Sequence, residues 1–495
     1  MTVSVALVFA AQVSNLDRVL IPLTSVSPVE SSGDFRPLGK LIANAQVVGA
    51  GEATHGSKEF FQLKHRLFRY LVEEKGFTIL ALEASMAKCM ALDRFVLTGE
   101  GDAVVALREQ GFWTWSTAEV LNLILWMRAY NADPKHIHKL RVVGVDMQSR
   151  YEVQDTISNI ARSLGVKEDY VTDPVWYPMV RYHMGEEVAM VKFHHRVARL
   201  VNVADAAGQP ELSRFILGLW TNFEQATQLE GDAVFVDDFI DVREEGVAAL
   251  PLFRSNLEVL RTLVKADADL QYVFDRLLDG GRDGLDSVRF GRGTAALAKM
   301  MEVDNAHRES LVAMAKIAKL MVQGLRLSEM QKHSRRDQYM AQNVQWVVTS
   351  YLPGSKAMFW GHNWHVMSRP AGEPEACGGE LRRLMPGKYF SVGFAFGSGG
   401  FRANDTALEP GSGPVDHEVS VEGQGTLDKF LGSVNRDMYF VSPGQVKELG
   451  GSFTTRNFGS RFDKSKPGSY VGSVVPDNAY DGMIFVRKVT AAKGL

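Results

Sequence analysis

The chain predicts an α/β fold: a mostly parallel central sheet flanked by helices, with a large all-helical insertion between the two halves of the core. Three observations carry this reading. Short apolar runs alternate with helical windows over residues 47–146. The strand signal then disappears from about Val153 to Gln331, and apolar runs return at 357–365, 389–396 and 482–486. Strands that alternate with helices build βαβ units and hence a parallel sheet. The organisation is therefore 1–152 for the first half of the core, 153–331 for a helical insertion or lid, and 332–495 for the second half.

In order, Leu38 to Ala45 is a short helix, and Val47-Val48-Gly49-Ala50 is a buried strand entering a Gly-rich turn. Ser57 suits the N-cap of the next helix, where Phe60, Leu63, Leu67, Tyr70 and Leu71 recur at helical spacing. Thr78 to Glu83 is a second strand, about Ala87 to Leu97 a helix, Gly111 to Ser116 a turn, and Thr117 to Asn131 a helix. Arg141 to Asp146 is a third strand. The insertion shows helical windows at Val188 to Val203, Leu212 to Gln228, Leu250 to Leu278 and Thr294 to Leu325, with Gly280-Gly281 and Gly291-Arg292-Gly293 as breakers. A helix from about Ser334 to Tyr351 reopens the core. Ala357 to His365 is a strand ending in histidines, Tyr389 to Phe396 another, and Gly482 to Val486 the closing one. About Ala403 to Gly425 should be loop, and Thr426 to Val434 helical.

Composition narrows the function class. The 495 residues are 45% hydrophobic and 23% charged with a net charge of −3, the balance of an ordinary globular protein without a polybasic face. Nucleic-acid and membrane partners are not expected, and no uncharged apolar run reaches the roughly 20 residues of a membrane span. Val5 to Ala11 is faintly like a signal-peptide core, but the first basic residue is Arg18, so a cytoplasmic location is expected. Cys89 and Cys377 stand far apart, which argues against a disulfide framework.

Four of these strands end in Glu52, Glu83, Asp146 and His362. Along one edge of a parallel sheet they would converge with His55 and His365 at the position where open α/β sheets bind ligands. A strand-end acid alone usually caps a helix or pairs with an arginine; the coincidence of four ends is the signal. Three chemistries suit it. His55 is a general base on water, oriented by Glu52 or Glu83, with His362, His365 or a cation stabilising an oxyanion. Alternatively Glu52, His55, Glu83, His362 and His365 hold a divalent metal that activates the water. The third chemistry, nucleotide binding through Gly49-Ala50-Gly51, lacks the Lys-Ser/Thr of a P-loop and the third glycine of the dinucleotide fingerprint. No Gly-x-Ser-x-Gly elbow occurs.

The motifs carry a resemblance. Gly51-Glu52-Ala53-Thr54-His55-Gly56 with Glu59-Phe60, Leu82-Glu83, Phe112-Trp113-Thr114-Trp115, Leu125 to Asn131, Val145-Asp146-Met147-Gln148, Arg336-Asp337 to Asn343, and Gly361-His362-Asn363-Trp364-His365 fall in one order. Together they resemble the erythromycin esterase family, including its relatives named for succinoglycan biosynthesis. The resemblance implies hydrolysis of a macrolide lactone or related bulky natural-product ester by water activated on His55, with no covalent serine intermediate. A metal-independent reaction is favoured, with a divalent metal as the alternative, since the related fold includes metal-dependent hydrolases and haem-binding proteins. Glu52 and Glu83 would orient the base or the water, and His362 and His365 would complete the site. Lys64, where the family often carries Arg, is expected with Arg66, Trp113, Trp115, Asp146, Met147 and Arg336 on the substrate side. Arg336 is expected to pair with a strand-end acid or with Asp337.

Two other readings use the same histidines: a non-hydrolytic acid–base enzyme that cyclises or isomerises a polyketide-like secondary metabolite, and a metal- or haem-binding protein. His136, His138, His194 and His195 are read as solvated, and Cys377 as a bystander.

Overall fold

The computed structural model describes residues 15–495 except 148–149, 167–196, 246–256, 266, 280–286, 305, 308–310, 312–313, 315–328, 370–374, 409–411 and 421–425. His194, His195, the Gly280-Gly281 breaker and parts of three helical windows (188–203, 250–278 and 294–325) lie outside the described residues.

Twelve strands occur among the described residues: β1 (Ile21–Pro22), β2 (Val47–Ala50), β3 (Ile79–Ser85), β4 (Arg141–Asp146), β5 (Ala357–Trp360), β6 (Tyr389–Asp405), β7 (Pro414–Val419), β8 (Met438–Val441), β9 (Phe453–Arg456), β10 (Arg461–Phe462), β11 (Val471–Val474) and β12 (Gly482–Val489). Ten join one sheet in the order β1-β8-β12-β6-β2-β5-β3-β4, with β7 and β10 added to the long β6; β9 and β11 form a separate pair. The six strands β4, β3, β5, β2, β6 and β12 are mutually parallel. They are apolar and buried along almost their whole length, as strands covered on both faces must be. The fold is thus mixed α/β with a large, mostly parallel central sheet flanked by helices.

The helix Lys58–Lys75 ends at Gly76, whose φ of 71° supplies the left-handed C-cap. It buries Phe60, Phe61, Leu63, Leu67, Phe68 and Leu71 in the main core, and also Lys64, His65 and Arg66, which sequence amphipathicity would have left in solvent. Ser57 has extended backbone at the N-cap, but its hydroxyl makes no capping bond and is buried without a partner.

The chain divides into two compact units. One takes the described residues up to Phe223 and from Arg336 to Leu495; the other is Glu224–Arg335. Between 153 and 331 every regular element among the described residues is helical, including Arg150–Ser163, Pro210–Glu245, Leu257–Val264, Ala268–Asp279 and Ser287–Val303. Gly291 and Gly293 lie within the last of these and do not break it; Gly293 instead lets the helix approach Asp269 and Val273 closely. The 403–425 stretch also corrects the sequence reading. It finishes β6 and contains β7, an antiparallel edge strand whose polar sequence hid it. No described helix is long and apolar enough to cross a membrane.

Candidate active site

The register of the sheet sets the site. Ala50 pairs with Trp360, Leu82 with Trp360, and Leu82 with Gly144, so one rung crosses β2, β5, β3 and β4. Glu52, His362 and Asp146 lie two residues beyond that rung and Glu83 one beyond, all at the carboxyl edge of the parallel sheet.

The turn after β2 is held from several sides. Gly51 donates to Val392 O, and a Cβ there would sit 2.2 Å from Asn363 Oδ1, so only glycine fits. Asn363 N–H donates to Glu52 O, Phe458 N–H to Ala53 O, and both Arg402 and Ala492 N–H to Gly56 O. Gly56 is likewise obligatory, since a Cβ would meet Arg402 O at 2.0 Å. His55 therefore sits in a turn with little freedom.

Glu52 is fully buried, and its Oε1 lies 2.7 Å from His55 Nδ1. Its Oε2 accepts from Lys64 Nζ at 2.6 Å and from Trp360 Nε1 at 2.9 Å. Burial pushes this carboxyl up, but the charges of Lys64 and His55 and their hydrogen bonds outweigh it and hold Glu52 below the usual range, ionised. A carboxylate can only accept, so His55 Nδ1 carries the proton and Nε2 bears the lone pair.

His362 is the opposite case. Its Nδ1 accepts from Trp364 N–H at 3.3 Å as the N-cap of the short helix Asn363–Val366, which puts its proton on Nε2. That nitrogen is buried and has no partner. Burial, reinforced by the neighbouring His55, pulls His362 down to about 3, so the ring stays neutral. The two rings lie 5.0 Å apart between centroids.

Behind them runs a charged network. Glu83 Oε2 accepts the His362 backbone N–H at 2.8 Å, while Oε1 receives Arg336 Nη2 at 3.0 Å and His365 Nε2 at 3.1 Å. Arg336 also grips Asp146 with Nε at 2.9 Å and Nη2 at 2.6 Å, and Asp337 Oδ1 lies 2.5 Å from His365 Nδ1. With a carboxylate on each ring nitrogen, His365 is an imidazolium. Burial lowers it, but Glu83 and Asp337 lift it to about 10. The 3.3 Å contact between Arg336 Nη1 and His365 Nε2 is therefore an approach of two donors across Glu83, not a hydrogen bond. Glu83 itself is desolvated by burial yet lies well below the usual carboxylate range because of His365, Arg336 and His55.

Of the residues expected on the substrate side, Asp146 and Arg336 belong to this network. Lys64 is fully buried and pairs with Glu52 at 2.6 Å. Arg66 lies elsewhere: it pairs with Asp34 at 2.6 Å and donates to Ser25 O and Ser31 O, tying down residues 25–34. Trp115 is core, its ring edge-on to Trp360 at 5.8 Å, and Trp113 is packed against the same core. Met147 is buried beside Asp146, donating its N–H to that carboxylate. Arg336 and Asp337 do not neutralise each other; each serves a different partner. Cys377 is fully buried with its thiol pushed well up by burial, so no thiolate forms.

Both oxygens of Glu52 and of Glu83 are engaged, and both His365 nitrogens face carboxylates. Among the described residues no group of three or more His, Cys, Asp or Glu is arranged to hold a metal ion.

The family model described as Erythromycin esterase matches residues 72–225 and 257–489. Glu83, Asp146, Arg336, His362 and His365 fall inside those ranges, whereas Glu52, His55 and Lys64 precede them. Over 128 residues the chain is 32% identical to erythromycin esterase type II of Escherichia coli, covering 26% of this chain and 29% of that protein. It is 22% identical over 344 residues to the putative hydrolase YbfO of Bacillus subtilis (strain 168), covering 68% of this chain and 59% of the relative. The matches thus span less than two thirds of either relative's length. The crystal structure of a Bacillus cereus protein superposes with a TM-score of 0.59 at 21% identity, over 98% of this chain and 99% of that one; the likeness is one of fold.

Proposed function

The chain belongs to the erythromycin esterase family, and from that premise we propose that it is a carboxylic ester hydrolase acting on a macrolide lactone or a related bulky natural-product ester. One observation carries the reading: His55 and His362, 5.0 Å apart, are held in opposite tautomers, one offering a lone pair and the other an N–H. A carbonyl between them would meet a base for water and a donor for its oxygen.

In the proposed reaction His55 Nε2 takes a proton from water as the water oxygen bonds to the ester carbonyl carbon. The carbonyl π pair moves onto oxygen, and His362 Nε2–H donates to that oxyanion. On collapse the C–O bond to the alkoxide breaks, and the proton on His55 passes to the leaving oxygen. Glu52 stabilises the imidazolium between the two proton transfers, as a carboxylate behind a catalytic histidine does. His362 acts as a neutral donor throughout, because a ring held at about 3 gains nothing by exchanging protons at neutral pH. His365 and Arg336 hold Glu83, and Glu83 holds the His362 backbone. No metal enters any step.

The test is a screen of macrolides, other lactones and activated esters by mass spectrometry, with and without chelator. Products heavier by one water, formed at the same rate with chelator present, support the proposal. A product of unchanged mass would replace hydrolysis by cyclisation or isomerisation.

A further inference from the structure

The carboxylate that orients His55 is itself gripped from behind. Glu52 Oε2 receives two donors from different directions, Lys64 Nζ from the helix Lys58–Lys75 and Trp360 Nε1 from the end of β5. The donors also touch each other, since Lys64 Nζ stands 4.6 Å from the Trp360 ring centroid. The indole cannot swing away. Phe61 lies edge-on to it at 5.3 Å and Trp115 at 5.8 Å, and its backbone pairs with both β2 and β3.

A carboxylate's terminal torsion is broad and nearly two-fold, so one partner on one oxygen would leave Glu52 free to rock or to exchange oxygens. Two convergent donors on Oε2 remove that freedom and leave Oε1 for His55. They also draw on the carboxylate's charge, which sets how strongly Glu52 supports a proton on the imidazole.

We propose, resting on the hydrolytic reading of this site, that Trp360 and Lys64 are positioning residues whose joint grip on Glu52 Oε2 aims the carboxylate at His55 and tunes the strength of that base. Neither touches the reacting atoms. The titratable groups facing His55 are Glu52 from its own turn, Glu83 from the end of β3 and His362 after β5, with Lys64 behind Glu52.

The test compares the full-length wild type with Trp360→Phe, Lys64→Met and Lys64→Arg. It reads kcat and KM on an activated ester and, independently of turnover, the titration of the His55 ring by NMR. Trp360→Phe keeps the aromatic packing and removes one N–H. It should lower kcat about 10-fold or more with KM nearly unchanged, the pattern of a misaimed catalytic group. The His55 titration should move to higher pH, because the carboxylate has lost a donor that shared its charge. Lys64→Met should lower kcat further, and Lys64→Arg should restore part of it. A folded Trp360→Phe with wild-type kcat and an unmoved His55 titration overturns the proposal. If Trp360→Phe does not fold, Lys64→Met decides: an altered His55 titration supports the grip, an unaltered one overturns it. If the wild type hydrolyses no ester while the His55 titration still moves, the hydrolytic reading fails and the grip on Glu52 stands.

Discussion

His55 and His362 face each other with ring centroids 5.0 Å apart, yet their chemistry is opposite because their inner nitrogens have opposite partners. A carboxylate sits on Nδ1 of the first and a backbone N–H on Nδ1 of the second. One ring is thereby turned to act as a base and the other as a donor.

His55→Ala removes the base and should lower kcat by roughly 10²–10⁴-fold. Steady-state hydrolysis checks it; turnover near that of the wild type removes His55 from the mechanism.

His362→Ala removes the donor to the oxyanion and should cost roughly 10²–10³-fold in kcat. His362→Gln, whose amide can donate from a similar position, should retain more activity than His362→Ala. Equal losses in the two variants would contradict a hydrogen-bonding role.

His365 is held up at about 10, well above the roughly 6.5 of an unfolded histidine. The folded state therefore binds the extra proton between those values. The contribution to stability is complete below about pH 6.5 and is lost as pH rises toward 10. Lys64, lowered to about 8 by burial, acts with the opposite sign from about pH 8 to 10.5. The difference in Tm between wild type and His365→Gln isolates the histidine, and it should shrink steadily from pH 6 to pH 10. A difference independent of pH would mean His365 is neutral in the folded protein.

His65 is buried against Trp126 with neither ring nitrogen bonded, and burial, with Arg69 nearby, pulls it to about 3. Its folded value lies below the unfolded one, so the unfolded chain binds the extra proton and stability falls as pH drops from about 6.5 toward 3. The loss amounts to about 3 kcal/mol by pH 4. His65→Leu should unfold later than wild type in acid titration monitored by circular dichroism. An identical acid midpoint would show that His65 finds a partner.

Much of the site was legible because its strands are short, apolar and end in charge. The runs before Glu52, Glu83 and Asp146 read as parallel strands, and the pairing of Ala50 and Leu82 with Trp360 and of Leu82 with Gly144 was needed to bring their ends together. The rest depended on facts that spacing does not hold. Adjacent Arg336 and Asp337 look like a local ion pair, but successive helical residues point about 100° apart, and each found a distant partner. Lys64 and Arg66 likewise leave one helix on different sides, toward Glu52 and Asp34. Trp360 drew no separate reading within the strand Ala357 to His365, since an indole that packs and one that donates have the same sequence signature. The strands β7 to β11 were missed because they are short or polar and take their stability from neighbours.

The turn that carries His55 has a consequence for the order in which the protein folds. Trp360 reaches Glu52 from 308 positions away, and Thr490 binds the carboxylate of Glu59 from 431 positions away, beside the Ala492 N–H that holds Gly56. In a chain made in sequence order Glu52 and His55 precede Trp360, Thr490 and Ala492 by hundreds of residues. Closing loops of such length is slow, and contacts of this separation form late. Assembly of the base is thus a late event of folding, and a fragment ending before Thr490 would lack the Thr490 bond to Glu59 and the Ala492 bond to Gly56.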